Sequence, residues 1–311
     1  MRKGLAKSLQ HGLEPVQRQI LVCGNLLSWG AHGVAMAPDA DPEFVWAGVA
    51  EALYRIRRAD KLSGSPSVAM IKDLPRSDAQ AEWALRRFSY RAFETEPNMV
   101  LSLRSQWTSF EAYLADMKSD YRSGIKKQLK DIEKAELELL SLDASEVAAH
   151  AEEIYGLYRQ VHDRQKFRLV TITPGWIPAL AARFGDDFRT SVLRPKGGGR
   201  LLGFITTLKD KEGAIGYYVG YDREAAQTLP VYLRMLYRAV EDAITMRAQW
   251  VSLGRTALAP KAKLGALPQP TVCHIRHRVQ AANLLVKGLL TVLPEPEDAP
   301  ERNPFKPTAL V

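Results

Sequence analysis

The spacing of apolar residues predicts helices and strands that alternate along most of the chain. Segments with apolar residues at helical spacing are predicted as helices: 42–58, 78–88, 145–166, 174–184 and 230–247. Short apolar runs bounded by turn residues are predicted as strands: 20–23, 67–71, 98–103, 188–193, 201–208, 214–219 and 250–253. Residues 110–140 are predicted as one long helical stretch, with a break near Gly124.

This order of elements favours an α/β fold with two halves of similar build, joined near residue 141. Each half is expected to hold a mixed, mostly antiparallel sheet flanked by helices. We therefore expect an N-terminal half at 1–141, a C-terminal core at 142–294 and an acidic extended tail at 295–311.

Composition narrows the class of protein. The chain has 311 residues, 46% apolar and 25% charged, which indicates a globular protein with a full core. Apolar runs stay well short of the ~20 residues that a membrane span needs. The basic segment 1–7 has no long apolar stretch directly after it, so no signal peptide is expected. Two cysteines, Cys23 and Cys273, fit a reducing cytoplasm.

Charge is unevenly distributed along the chain. The net charge is +8, and residues 243–294 contain no Asp or Glu. Such a stretch should attract an anion: nucleic acid, membrane headgroups or a phosphate-bearing cofactor. The alternative is a protein face that simply lacks acids. The seven cations of this acid-free stretch are Arg247, Arg255, Lys261, Lys263, Arg276, Arg278 and Lys287.

The run 216–222 (GYYVGYD) is the strongest candidate for chemistry. Glycines such as Gly220 let a strand end approach a ligand closely, and the next helix offers free N–H groups for phosphate. Tyr217 and Tyr218 are expected on opposite faces, with one of them donating a proton to a leaving thiolate. Asp222 is the candidate base. The alternative is a buried aromatic strand followed by a turn.

The segment 253–266 (LGRTALAPKAKLGA) follows the last predicted strand of the C-terminal core and lies in the acid-free stretch. Its cations can neutralise phosphates, and the guanidinium of Arg255 can do so through two hydrogen bonds. The alternative is a solvated basic loop. The residues that we expect to contact a cofactor here are Arg255, Thr256, Lys261 and Lys263.

Two further segments are amphipathic. In 118–134, lysine or arginine recurs every four residues opposite an apolar side, which suits tRNA phosphates or anionic lipid. In 279–293, leucines beside basic residues suit a membrane surface, although packing against the protein body is the stronger expectation. Candidate bases among the histidines are His162, His274 and His277, each with a structural alternative. Histidine and cysteine spacings predict no metal site.

The motifs above resemble the GNAT-like N-acyltransferases that are grouped with the Fem-type peptidoglycan aminoacyltransferases. The likeness runs through 216–222, the 230–247 helix and 253–266. The first half is similar to that family at 23–25 and 107–114, and the tail at 302–306. The resemblance implies a double-GNAT architecture, transfer from an acyl-CoA, acyl-carrier or aminoacyl-tRNA donor, and an amine acceptor. A simple acetyl-CoA loop before the 230–247 helix is missing from the sequence.

The sequence therefore predicts a cytoplasmic N-acyltransferase with acyl-CoA as co-substrate and no metal or tightly bound cofactor. The resemblance adds a long-chain lipid amine, such as a sphingoid base, as an acceptor, with peripheral contact to an anionic membrane. Two alternatives stay open. One is a Fem-type aminoacyltransferase that uses aminoacyl-tRNA and acts on a cell-wall precursor or peptide. The other is a non-catalytic GNAT-fold protein that binds an anion or a membrane.

Overall fold

The computed structural model of the chain describes residues 19–59, 66–165, 170–290 and 297–307. The basic segment 1–7, on which the signal-peptide expectation rests, lies outside these residues. The helices are α1 (Pro42–Ala59), α2 (Ala79–Arg87), α3 (Phe110–Asp116), α4 (Ser119–Lys134), α5 (Ala144–Ala149), α6 (Ala151–His162), α7 (Trp176–Phe184), α8 (Ala225–Thr228), α9 (Val231–Thr245), α10 (Leu258–Lys263) and α11 (Gln280–Leu290). The strands are β1 (Ile20–Cys23), β2 (Val68–Pro75), β3 (Arg91–Ser102), β4 (Leu137–Leu142), β5 (Phe188–Pro195), β6 (Gly203–Asp210), β7 (Gly213–Tyr221), β8 (Trp250–Ser252) and β9 (Leu267–His277).

The chain forms two compact units, each built from several stretches of sequence. Unit 1 is made of residues 1–25, 29–95 and 271–295, and unit 2 of residues 26–28, 96–270 and 296–311. Each unit therefore takes residues from both ends of the chain, whereas the sequence suggested halves that follow one another. The division into 1–141, 142–294 and 295–311 stays a prediction.

Unit 2 contains a mixed, mostly antiparallel sheet. β4, β5, β6 and β7 pair in that order, each antiparallel to its neighbour. β7 then pairs in parallel with β8, which pairs antiparallel with the end of β3. The predicted α/β class, with such a sheet flanked by helices, is confirmed.

The sheet of unit 2 has a buried core on each face, because neighbouring side chains along a strand point to opposite sides. Leu193 and Ile205 join a cluster with α9, while Val192 and Phe204 join a second cluster with α6 and α7. Helix α9 lies across β6 and β7 with Met235, Ala239 and Val240 fully buried. The functional candidates of β7 are thus held between two helical layers.

Unit 1 has its own core. β1 pairs in parallel with β2, and β2 pairs antiparallel with β9. Helices α1 and α2 cover these strands, and Trp46, Ile71 and Leu85 are among the buried residues. β2 shifts register between Ile71 and Leu74, where buried Asp73 has a φ of 61°.

The long helical stretch predicted for 110–140 is wrong. The chain forms α3, then α4 without a break at Gly124, and then strand β4. Leu137 and its neighbours have good helical propensity, but pairing of β4 with β5 overrides that local preference. The predicted 145–166 helix is divided into α5 and α6, and its last residue, Lys166, lies outside the described residues. No strand was predicted at 267–277, where the structure has β9.

Close packing of α6 on β7 generates a stability prediction. A Cβ atom at Gly220 would lie 2.6 Å from the backbone of Leu157 and Tyr158 and 2.4 Å from the Phe204 ring. We expect Gly220→Ala to lower the free energy of unfolding by about 2–3 kcal/mol because the helix must move away. Gly156→Ala is the matched control, since nothing lies within 4 Å of a Cβ there. Urea unfolding should show that the control is neutral or stabilising; equal losses would contradict the packing account.

Candidate active site

The parallel pairing of β7 with β8 stops after three residues, at Ile215 and Ser252. β7 continues to Tyr221, but the chain after β8 keeps to β3 instead. The Leu253 N–H donates to the Met99 carbonyl at 2.8 Å, and the Met99 N–H donates to the Gly254 carbonyl at 3.1 Å. The two neighbouring strands therefore separate from Gly216 onward. Within the described residues, the β8-facing edge of β7 has no strand partner beyond that point.

A β-bulge occurs on β7 at this separation. Ile205 and Thr207 on β6 pair with Val219 and Gly216, so Tyr217 and Tyr218 together stand opposite the one intervening residue. The Tyr218 N–H donates to the hydroxyl of that residue, Thr206, at 2.9 Å. A bulge bends a strand and increases its twist, which is consistent with β7 turning away from β8.

The bulge changes where the two tyrosines point. They were expected on opposite faces, but both pack against the core cluster of α6 and α7, with ring centroids 4.5 Å apart. That expectation is wrong because a bulge interrupts the strict alternation of side chains. Burial raises the pKa of each hydroxyl, and a hydrogen bond between the two lowers that of Tyr217 and raises that of Tyr218. Both tyrosines are therefore protonated at neutral pH.

A buried lysine holds the loop that follows β8. The Lys261 ammonium donates to the carbonyls of Gly254 at 3.1 Å and Arg255 at 2.6 Å, and the residue is 3% exposed. Gly254, Thr256 and Ala257 all have positive φ, so the loop is tightly wound. The Thr256 N–H donates to Glu96 at 3.1 Å. Lys261 thus fixes the loop from inside, and Arg255 is half-buried beside it.

A cleft of about 530 Å³ lies beside this loop. Helices α4, α9 and α10 form its walls, through Tyr121 and Ile125, Leu233 and Tyr237, and Ala259 and Pro260, respectively. The charged residues lining the cleft are Asp120, Lys263 and Arg302. The Tyr237 hydroxyl donates to Gln128, and burial raises the pKa of Tyr237 to about 12. The cleft is therefore apolar and aromatic, with two cations among its lining residues.

The C-terminal tail brings Arg302 to this cleft. Phe305 packs on Trp107 and Tyr113, with ring centroids 4.9 and 5.7 Å apart. The Lys118 N–H donates to the Pro304 carbonyl at 2.8 Å. A Cβ atom at Gly265 would meet the Phe305 ring at 2.2 Å, so this glycine makes room for the tail. The position of Arg302 at the cleft was not predicted from the sequence, because it depends on the packing of Phe305.

Several predicted site residues have positions that favour a structural role. Asp222 is 4% exposed, pairs with Arg200 at 2.7 Å and accepts the Ala225 N–H at 2.8 Å. Burial raises its pKa, but the Ala225 hydrogen bond and Arg200 outweigh burial and lower it overall. A carboxylate held in its charged form is a weak base. Gly220 is also buried, against α6. Lys263 differs from these residues, because it is exposed and lines the cleft, as a phosphate ligand should.

Further residues lie on the side of β7 that contains Tyr217 and Tyr218, and the sequence had indicated them only weakly. The Tyr158 ring is 5.8 Å from that of Tyr218 and stacks on His162 at 4.7 Å. The His162 Nε2 is 2.9 Å from the Thr171 hydroxyl. His162 was weighed as a base, and the structure brings it to the tyrosines through Tyr158. The other candidate bases, His274 and His277, belong to unit 1.

The described part of the chain was compared with the requirements of a metal site and of a membrane span. It contains no group of three or more His, Cys, Asp or Glu side chains placed to hold a metal ion. Nor does it contain a helix with the length and apolar character needed to cross a bilayer.

The buried lysine generates a prediction about pH. Burial lowers the pKa of Lys261 to about 7, whereas an unfolded lysine titrates near 10.5. Between these values the unfolded chain binds one more proton than the folded chain, so this residue makes stability rise with pH. The free energy of unfolding of the wild type, minus that of Lys261→Met, should therefore increase by about 1 kcal/mol per pH unit from pH 7 to 9.5. Chemical unfolding at several pH values measures this difference, and a flat profile would contradict the lowered pKa of Lys261.

Comparison with known proteins gives a family match within unit 2. Residues 119–261 match the family model described as an acetyltransferase (GNAT) domain. This segment begins at α4 and ends at Lys261, so it contains α4, α9, the bulged β7, the loop after β8 and the first part of α10. A search of curated protein sequences finds no match.

Solved structures give the same fold. FemX is 10% identical with a TM-score of 0.55, over 88% of this chain and 85% of that one. L-PGS from Bacillus licheniformis is 13% identical with a TM-score of 0.51, over 78% of each chain. The C-terminal domain of a lysylphosphatidylglycerol synthetase from Agrobacterium fabrum is 14% identical with a TM-score of 0.50, over 78% of this chain and 77% of that one. The resemblance is therefore confirmed: a GNAT domain is matched over residues 119–261, and the fold of the chain is similar to that of FemX.

Proposed function

We propose that the protein is an N-acyltransferase that moves an acyl group from a CoA or acyl-carrier thioester to an amine. The observation that carries this proposal is the separation of β7 from β8. Acyl transfer needs backbone N–H groups aimed at the carbonyl oxygen on which charge develops. The partnerless edge of β7 beyond Ile215 offers such groups in a half-buried setting.

The cleft supports the donor half of the proposal. Its apolar and aromatic walls suit the pantetheine arm of a thioester donor, and Lys263 and Arg302 suit the phosphates. The positive end of the α9 dipole adds to the field that attracts an anion. Lys261 acts indirectly, because its ammonium is directed at backbone carbonyls rather than at solvent.

The tyrosine pair supports the acceptor half. Tyr217 and Tyr218 belong to the α6 and α7 face of the sheet, whereas α9 belongs to the other core cluster. A donor passing through the strand separation would present its carbonyl to an amine on the tyrosine side. The amine nitrogen bonds to the carbonyl carbon, the C–S bond breaks, and the amine releases a proton to water. The thiolate then takes a proton from Tyr217, Tyr218 replaces it through their shared hydrogen bond, and the proton that water received from the amine returns to Tyr218.

The tyrosine relay generates a kinetic prediction. We expect Tyr217→Phe to lower kcat about a hundredfold, since positioned acids contribute roughly 10²–10⁴ in rate, and to leave donor affinity unchanged. Tyr155→Phe is the control, because its hydroxyl bonds to Arg159 on an exposed part of α6. The assay measures free thiol from acyl-CoA with a broad amine panel. Absence of thiol release with every amine, together with absence of CoA binding by calorimetry, would contradict the proposal.

Aminoacyl-tRNA is the second candidate donor, and helix α4 is the observation that favours it. Lys126, Lys127, Lys130 and Lys134 are all exposed, while Ile125 and Ile132 are buried. The same helix lines the cleft through Tyr121 and Gln128. A tRNA could lie along the lysines with its aminoacyl end in the cleft. FemX and L-PGS share this fold, which gives the alternative a structural precedent only.

The tRNA alternative predicts salt-dependent binding. Each phosphate contact that is lost reduces the slope of log affinity against log salt by about 1. We expect Lys126→Gln/Lys130→Gln to reduce this slope by about 2 if tRNA is the donor. Lys196→Gln/Lys209→Gln, which removes two lysines paired with Glu136 and Asp187, is the matched control. Gel shifts with bulk tRNA at several salt concentrations separate the donors; identical slopes for all three proteins would exclude a tRNA on this face.

Finer points of the proposal are the acceptor and the location. A lipid amine, such as a sphingoid base, and a cytoplasmic site of action remain our proposals. They rest on the resemblance and on the acid-free stretch. The non-catalytic alternative is tested by the same assay, since such a protein would bind an anion or a membrane without releasing thiol.

A further inference from the structure

Helix α11 in unit 1 exposes a cluster of leucines. Apart from Gln280 in its first turn, the described residues of this helix that are exposed are apolar or glycine: Ala281, Leu284, Leu285, Gly288 and Leu289. The three leucines are 63%, 75% and 70% exposed. Single exposed leucines are ordinary, but a helix facing water normally carries polar side chains on that face. The sequence favoured packing of this segment against the protein body, and one side of α11 does pack there through buried Asn283, whereas the three leucines are exposed.

Asn283 fixes the orientation of α11. It is 4% exposed, its side-chain oxygen accepts the His277 N–H at 2.9 Å, and its amide donates to the Ser89 carbonyl at 2.8 Å. With the side chain of Asn283 held inward, residues near 285 and 288 must point away from unit 1, since successive helical residues are about 100° apart. The apolar face is therefore presented outward by a specific buried contact.

A cationic depression adjoins the start of this helix. It is lined by Arg57 from α1, by Arg276, His277 and Arg278 at the end of β9, and by Tyr90. None of its lining residues within the described chain is acidic. Burial raises the pKa of Tyr90 to about 12, and Arg276 and Arg57 act against that shift, which places both positive charges near its hydroxyl. Only Val279 separates Arg278 from the first residue of α11.

The size of the depression fits part of a small anion. It encloses about 20 Å³, which is room for one water-sized group, such as a phosphate oxygen. Guanidinium groups are the side chains best suited to bind phosphate through paired hydrogen bonds. A phosphate-binding depression next to leucines that face outward matches the two chemical parts of a phospholipid.

We propose that α11 and the arginines before it form a docking surface for a bilayer of anionic phospholipid. The leucines enter the boundary between headgroups and acyl chains, and Arg276 and Arg278 bind a lipid phosphate. Both parts belong to the acid-free stretch, so its lack of Asp and Glu in unit 1 removes repulsion from an anionic surface. This surface is made of residues of unit 1 and the cleft of residues of unit 2, and the inference stands whether or not the acyl-transfer proposal holds.

Vesicle flotation with the full chain tests the proposal. We expect binding to vesicles that contain phosphatidylglycerol, weaker binding to pure phosphatidylcholine, and loss of the difference at high salt. Leu285→Ser/Leu289→Ser should weaken binding about tenfold or more, and Phe44→Ser, with a side chain 77% exposed on α1, should not. Arg276→Gln/Arg278→Gln should abolish the preference for anionic lipid. The matched control, Arg55→Gln/Arg86→Gln, removes two exposed arginines of the same unit and should keep that preference.

A gain-of-signal variant guards against loss through misfolding. Leu285→Trp should gain fluorescence that brominated lipids quench, beyond any quenching of the wild type. Three outcomes would overturn the proposal: equal loss in test and control variants, affinity for inorganic phosphate without vesicle binding, or dimers that the leucine variants abolish in sedimentation. The last would mean that a second copy of the chain covers α11. Thiol release with a soluble amine is measured apart from flotation, so failure of one assay is distinguishable from failure of the other.

Discussion

The separation of β7 from β8 is the constraint on which the site of unit 2 depends. Parallel pairing ends at Ile215, because the chain after β8 bonds to Met99 on β3 and so cannot also follow β7. The Lys261 side chain holds this path in place through hydrogen bonds to the Gly254 and Arg255 carbonyls. The bulge at Tyr217 and Tyr218 bends β7 away from β8. The partnerless strand edge and the placement of both tyrosines on one face result from these contacts.

The sequence predicted most helices and strands, but it did not predict how the strands pair. Apolar spacing and turn residues are local signals, and they predicted the 214–219 strand, the 230–247 helix and the glycine-containing turns. The bulge was not, since alternation placed Tyr217 and Tyr218 on opposite faces and only the register with β6 shows otherwise. β4 was hidden in the same way, because its leucines favour a helix until β5 supplies a partner.

The same limit applies to the candidate site residues, because residue type does not show which side chains are buried. Residue type alone suggested that Lys261 and Asp222 would meet a ligand, yet both side chains are buried on partners of the protein itself. Lys263, two positions from Lys261, is exposed on the cleft. A spacing of two residues on a short helix decides which lysine reaches solvent, and the acid-free stretch contains both. Its charge therefore does not act as one surface: part of it organises the loop after β8, and part belongs to unit 1.

The central claim is that the donor's thioester carbonyl lies against β7 where that strand leaves β8. Hydrogen exchange of the backbone amides, with and without a non-hydrolysable acyl-CoA analogue, tests it most directly. We predict slower exchange at residues 216–219 and at the start of α9 when the analogue binds, and little change in α5. Saturable binding of the analogue with unchanged exchange at 216–219 would contradict the account.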